Sequence, residues 1–120
     1  MLLVTSRTNK KWMLPKGWTM SNKSDAEAAA QEAFEEAGVL GQIGEAPVGS
    51  YAYIKLFDDG STKPSHAIVF SLQVTRQLRK WPERTERRRK WFSAEEAAAA
   101  VFERDLSRLL TGLAAGRIAF

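Results

Sequence analysis

The sequence predicts an α/β (α+β) fold, a mixed sheet covered by helices on its faces. Three observations carry this. Short apolar runs that suit buried strands open the chain at residues 2–6 and 12–14. A single well-capped helix follows at residues 24–38. Alternating strand patterns then occupy residues 42–57 and 66–75, before an alanine- and leucine-rich helical end. Strands, one helix, strands and then helices is the order of a sheet with helices packed on it.

Residues 2–6 are apolar and β-branched, and residues 12–14 form a short strand stopped by Pro15. Ser24 with Glu27 forms a capping box, Asp25 suits the positive end of a helix, and Gly38 is the expected C-terminal glycine. Ala26, Ala29, Ala30, Ala33 and Ala37 keep this helix thin enough to lie close to a sheet, with Phe34 as its anchor. Residues 58–61, Asp-Asp-Gly-Ser, are a turn signal, so the strands on either side are expected to form one long antiparallel hairpin, with His66 opening the return strand. Residues 77–89 read as a charged loop and residues 90–92 as a short strand. Ser93 with Glu96 is a second capping box, and Leu106, Leu109, Leu110 and Leu113 form a helical stripe ending near Gly116.

Composition narrows the chemistry. The chain has 120 residues, expected to form one domain over residues 1–120, and 44% of them are hydrophobic. Without cysteine there is no disulfide, zinc–thiolate site or cysteine nucleophile, and one histidine argues against a His-rich metal site or a Ser-His-Asp triad. No apolar run is long enough to span a bilayer, and residues 1–5 are too short for a signal peptide, so a cytoplasmic location is the default expectation. A net charge of +4 leans toward an anionic, phosphate-rich ligand or nucleic acid.

The pattern with most chemical content is Glu32, Glu35 and Glu36. Their i, i+3, i+4 spacing places three carboxylates on one helical face. Two of them lie in the last turn, the negative end of the helix dipole. Like charges at this spacing repel by roughly 0.2–0.5 kcal/mol per pair. Hard divalent cations take carboxylate oxygens, so the cluster is a candidate Mg²⁺ or Mn²⁺ site; the alternative is a solvated acidic face.

Residues 17–39 resemble the Nudix box, G-x5-E-x7-R-E-U-x-E-E-x-G-U, where U is a bulky aliphatic. Gly17, Glu32, Glu35, Glu36, Gly38 and Val39 match it. Lys23 stands where the family has Glu, Gln31 where it has Arg, and Ala33 is small for U. Trp81-Pro82-Glu83, then residues 88–93 and Glu95-Glu96-Ala97, are similar to the C-terminal half of the diphosphoinositol and diadenosine polyphosphate hydrolase branch. The resemblance implies an α/β/α sandwich that hydrolyses a phosphoanhydride in a nucleoside diphosphate linked to another group, with a dinucleoside polyphosphate or another polyphosphorylated molecule as the favoured substrate. It implies metal ligation by the Gly17 carbonyl, Glu35 and Glu36, with Glu32 as a further ligand or as the base that activates water. It also implies a strand ahead of residues 2–6; its absence would leave an unpaired edge or an open groove, and the expectation is lowered stability or a homodimer through that region.

The departures leave two alternatives. Lys23 supplies the cation lost at position 31, or the site binds metal weakly and the domain is a slow hydrolase or a non-catalytic nucleotide- or RNA-binding module. Lys16, Trp18, Lys23 and Arg88 are the candidate substrate-binding residues; the bland alternative for each is turn charge, packing or a solvated loop. Arg88 and Arg89 precede a strand and are expected to point opposite ways, so at most one faces the site. Glu86 is a weaker candidate acid from the same loop.

Overall fold

The computed structural model describes residues 1–17 and 22–117. Its elements are β1 (Leu2–Thr5), β2 (Trp12–Met13), α1 (Asp25–Ala37), β3 (Val39–Ile43), β4 (Gly49–Leu56), β5 (Thr62–Val69), β6 (Leu72–Gln77), β7 (Arg89–Trp91), α2 (Ala94–Ala100) and α3 (Arg104–Ala114). All strand pairs are antiparallel: β1 lies between β2 and β7, β3 pairs with β6, and β4 pairs with β5. A parallel bridge from Trp12 to Val101 ties β2 to the start of the α2–α3 connection.

The layered arrangement follows from the alternation of side chains along β1. Leu3 faces a core built from Tyr51, Ala97, Val101, Leu106 and Leu110, whereas Val4 faces a second core with Met13, Ala37 and Val39. Successive strand residues point to opposite faces, so β1 is buried on both sides. Helix α1 covers one side, packing on β1 and β3, while α3 packs on β4 and α2 on α3. The result is the expected helix–sheet–helix sandwich.

Helix α1 begins and ends where local chemistry places it. Ser24 and Glu27 exchange both capping-box hydrogen bonds. Gly38 takes the left-handed conformation (φ 65°), and its N–H donates to the Phe34 carbonyl. No other residue fits there, because a Cβ at Gly38 would overlap the Trp81 ring.

The expected single long hairpin is instead two nested ones. The first strand is interrupted between β3 and β4, where Pro47 cannot donate to a ladder, and the return strand is interrupted at Phe70 and Ser71. Bonds from Gly44 N to Ser71 O and from Val48 N to Val69 O keep the two halves in line. Consequently His66 does not open a strand; it is an exposed mid-strand residue of β5, opposite Ala52. The expected turn at residues 58–61 is present, with Gly60 at φ 86°. The helical end is likewise two helices, separated at Val101–Glu103.

Both edges of β1 are paired, so the opening anticipated beside residues 2–6 is not at that strand. A groove of about 550 Å³ runs along residues 67–74, between Ala29 and Ala33 of α1 and Leu110 and Leu113 of α3. Among the described residues, β5 and β6 have no second strand partner on that side.

Candidate active site

The acids that the helix spacing brings together are Glu32 and Glu36. The Glu36 side chain is 4% exposed, and its carboxyl group lies near that of Glu32 one turn earlier. Burial pushes the Glu36 carboxyl up to about 8; the Arg87 guanidinium opposes this, and Glu32 and Glu83 add to it. A buried carboxyl group that resists ionisation beside a second acid is one that a divalent cation can stabilise in its charged form.

Gly17 lies directly against Glu32 of this pair. A Cβ there would overlap the Glu32 carboxyl group, with Glu32 Cγ only 2.7 Å away. The missing side chain therefore leaves room for Glu32 and for close approach of backbone to a ligand. One Glu36 oxygen, Oε1, is buried without a hydrogen-bond partner. The Glu32 and Glu36 carboxyl groups beside a side-chain-free backbone are the kind of oxygen donor set that a hard divalent ion takes.

Glu35 is half-buried. Among the described residues no group of three acidic or histidine side chains stands close enough to hold an ion, so the fold gathers the pair Glu32–Glu36 with Gly17, and Glu35 does not complete a trio with them.

The cation that faces Glu36 is Arg87, with Nη2 3.7 Å from Oε1. Arg87 also bonds Glu83 through Nε at 2.7 Å and donates from Nη1 to the Thr5 carbonyl at 3.0 Å. Lys23 is exposed, and its charge acts on Glu27 at the opposite end of the helix, helping the Ser24 hydrogen bonds hold that carboxyl below its ordinary range. Arg87, 51 residues after Glu36, is thus the cation set against this acid, whereas Lys23 lies at the other end of the helix.

The candidate substrate-binding residues are dispersed. Lys16, beside Gly17, is half-buried; its Nζ pairs with Glu103 at 3.3 Å and sits 4.2 Å from the centre of the Tyr53 ring. Arg88 is exposed, and only its backbone is anchored, through Thr5. Trp18 lies outside the described residues. Glu86 is on the surface, paired with Arg7 at 3.5 Å.

Three residues make contacts that no local sequence pattern predicts. Arg89 and Trp81 fall in a stretch that reads as a charged loop, and their contacts with α1 are 45 to 52 residues distant in sequence. Glu103 is a buried acid with Oε1 unpartnered; the only local signal for it is its place between two helical patterns. It raises the phenol of buried Tyr51, whose main perturbation is burial itself.

The NUDIX domain model matches residues 1–111. Nudix hydrolase 12, mitochondrial, of Arabidopsis thaliana is 35% identical over 99 residues, covering 80% of this chain and 49% of its own length. Diphosphoinositol polyphosphate phosphohydrolase 3-alpha of Mus musculus is 30% identical over 99 residues, covering 81% and 56%. The chain therefore spans about half the length of the curated relatives it matches. The structure of a C. elegans Ap4A hydrolase binary complex superposes with a TM-score of 0.67, covering 97% of this chain and 84% of that one, at 21% identity, which speaks for the fold. With the family model matched over nearly its whole length and the sandwich fold in common, the chain belongs to the NUDIX domain family.

Proposed function

We propose that this domain is a divalent-metal-dependent pyrophosphohydrolase. Its substrate would be a nucleoside diphosphate linked to another group, with dinucleoside polyphosphates and other polyphosphorylated small molecules favoured over nucleic acid. The observation that carries this proposal is the contact of the Glu32 and Glu36 carboxyl groups beside side-chain-free Gly17.

Glu32, Glu36 and the Gly17 carbonyl would hold Mg²⁺ or Mn²⁺, with Glu35 as a further ligand. Such an ion, when bound, neutralises phosphate charge and makes bound water more acidic. The chain's own part is positional and electrostatic. Buried Glu36 keeps Oε1 free of hydrogen bonds, with the Arg87 guanidinium 3.7 Å from it. Glu32, the more accessible of the pair, is placed to take the proton of the attacking water. Lys16, held by Glu103 next to Gly17, offers a cation to the substrate phosphates, with Trp18, Lys23 and Arg88 as outer candidates.

A non-catalytic nucleotide- or RNA-binding module is the competing function, favoured by the absence of a three-acid group among the described residues. Phosphate release from a panel of nucleotide and polyphosphate substrates, with Mg²⁺ or Mn²⁺, separates the two. Turnover that needs metal and disappears in Glu36→Gln supports the enzyme. Equal binding by both proteins with no turnover in either supports the module. No helix among the described residues is long and apolar enough to cross a membrane; a cytoplasmic site of action is proposed, and cell fractionation tests it. A homodimer is proposed on the groove side, and light scattering that finds a thermostable monomer would contradict it.

A further inference from the structure

The acids of α1 lie at the end of the helix where unpaired carbonyls concentrate negative charge. In this chain one distant segment, residues 78–89, covers that end. Glu83 N donates to the Glu35 carbonyl at 3.0 Å, and Trp81 Nε1 donates to the Glu36 carbonyl at 3.1 Å. Arg89 Nη1 donates to the Ala37 and Gly38 carbonyls at 2.8 and 3.2 Å, and Leu78 N donates to Gly38 at 2.8 Å. Four consecutive carbonyls thus each receive a donor from the same segment. Arg89 is itself fixed, because its Nη2 donates to the Leu78 carbonyl at 2.7 Å and its guanidinium lies 4.1 Å from the Trp81 ring centre. The Trp81 ring in turn fills the space that a Cβ at Gly38 would need. Arg87, two residues before Arg89, is 8% exposed and braced by Glu83 and Thr5, which leaves Nη2 toward Glu36.

We propose that Arg87 and Arg89 are positioning residues for the acid pair: Arg89 locks the last turn of α1 through its carbonyls, and Arg87 holds the Glu36 carboxylate in register with Glu32. This rests on the proposal that the pair binds the metal. Neither side chain is placed to touch substrate, since Arg87 is buried and the Arg89 guanidinium is occupied by three carbonyls and a ring. With Gln31 in the helix, a buried guanidinium reaches Glu36 from the loop instead, and a planar fork can serve several oxygens at once, which an ammonium cannot.

The test measures Mn²⁺ affinity by electron paramagnetic resonance alongside kcat, KM and thermal stability. The proteins compared are wild type, Arg87→Gln, Arg87→Lys, Arg89→Gln and Trp81→Phe. The last keeps an aromatic ring of smaller area and removes the donor to Glu36 while leaving both arginines in place, so it stays informative if an arginine variant fails to fold. The expected result is a loss of Mn²⁺ affinity of about 10–100-fold in folded Arg87→Gln and Arg89→Gln, the range typical of groups that orient metal ligands. The loss should fall on kcat more than KM, be partly recovered in Arg87→Lys, and be smaller but in the same direction in Trp81→Phe. Lower stability with unchanged Mn²⁺ affinity and kcat in these variants would overturn the proposal, as would wild-type values throughout. A wild-type protein that binds no Mn²⁺ would instead refute the metal site itself.

Discussion

Helices α1 and α2 open with the same device and close differently. Each has a serine N-cap answered by a glutamate three residues on, with both reciprocal hydrogen bonds formed. At its C-terminus α2 runs into an extended Val101 and a three-residue connection to α3. Helix α1 instead ends in left-handed Gly38, with donors from Leu78, Trp81, Glu83 and Arg89 on its carbonyls. The shared start is local chemistry that a scaffold helix needs. The elaborate finish belongs to the helix that carries buried acid, and it concentrates donors where the dipole would oppose Glu36.

The sharpest way to break this contrast is at the acid itself. Glu32→Gln should lower metal-dependent phosphate release by roughly 10²–10⁴-fold, the range of a lost general base, while neutralising Glu95 or Glu96 of α2 should leave kcat unchanged. Steady-state kinetics on the three variants decides it.

Next in size is the helix end. Gly38→Ala puts a methyl group into the Trp81 ring at a positive φ. It should destabilise the fold by about 2 kcal/mol or more, adding backbone strain to overpacking. Val101→Ala, at the matching position of α2, should cost about 1–2 kcal/mol through lost packing alone. Urea unfolding compares them, and equal losses with an undisturbed Trp81 emission would remove the distinction.

The pH dependence separates the helices more gently. An unfolded chain releases the Glu36 proton near the ordinary carboxylate value, whereas the folded chain retains it up to about 8. Between these values the folded state binds more protons, so metal-free stability should fall as pH rises through that window. Glu36→Gln should flatten the slope, and Mg²⁺ should stabilise wild type more at pH 8 than at pH 5, because metal binding releases the proton. Melting curves across pH, with and without Mg²⁺, test the sign.

The smallest effect tests the shared start. Ser24→Ala and Ser93→Ala should each cost about 1 kcal/mol, seen as similar small losses of melting temperature. A much larger activity loss in Ser24→Ala than its stability loss explains would mean that the start of α1 is also functional.

What the sequence discloses follows the same division. Ser24, Glu27, Gly38 and the i, i+4 spacing of Glu32 and Glu36 are short-range signals, and the structure places each as its spacing requires. The turn at Gly60 and the alternation that buries Leu3 and Val4 on opposite faces are legible in the same way. Arg87 and Arg89 have no such signature. In a run of five cations and acids, nothing local distinguishes the two that reach α1 from Arg88, which stays exposed. The Lys16–Glu103 pair joins residues 87 apart and depends on the packing of α3 against β4. The break in the hairpin was hidden because apolar alternation continues across Pro47 and Phe70.

The central claim is that Glu32, Glu36 and Gly17 gather a divalent cation. Its most direct test is a crystal structure of the protein soaked with Mn²⁺ and a non-hydrolysable pyrophosphate analogue, read by anomalous scattering. The account predicts a peak about 2.0–2.3 Å from carboxylate oxygens of this pair, with the Gly17 carbonyl turned toward it. Analogue bound with no peak there would contradict it.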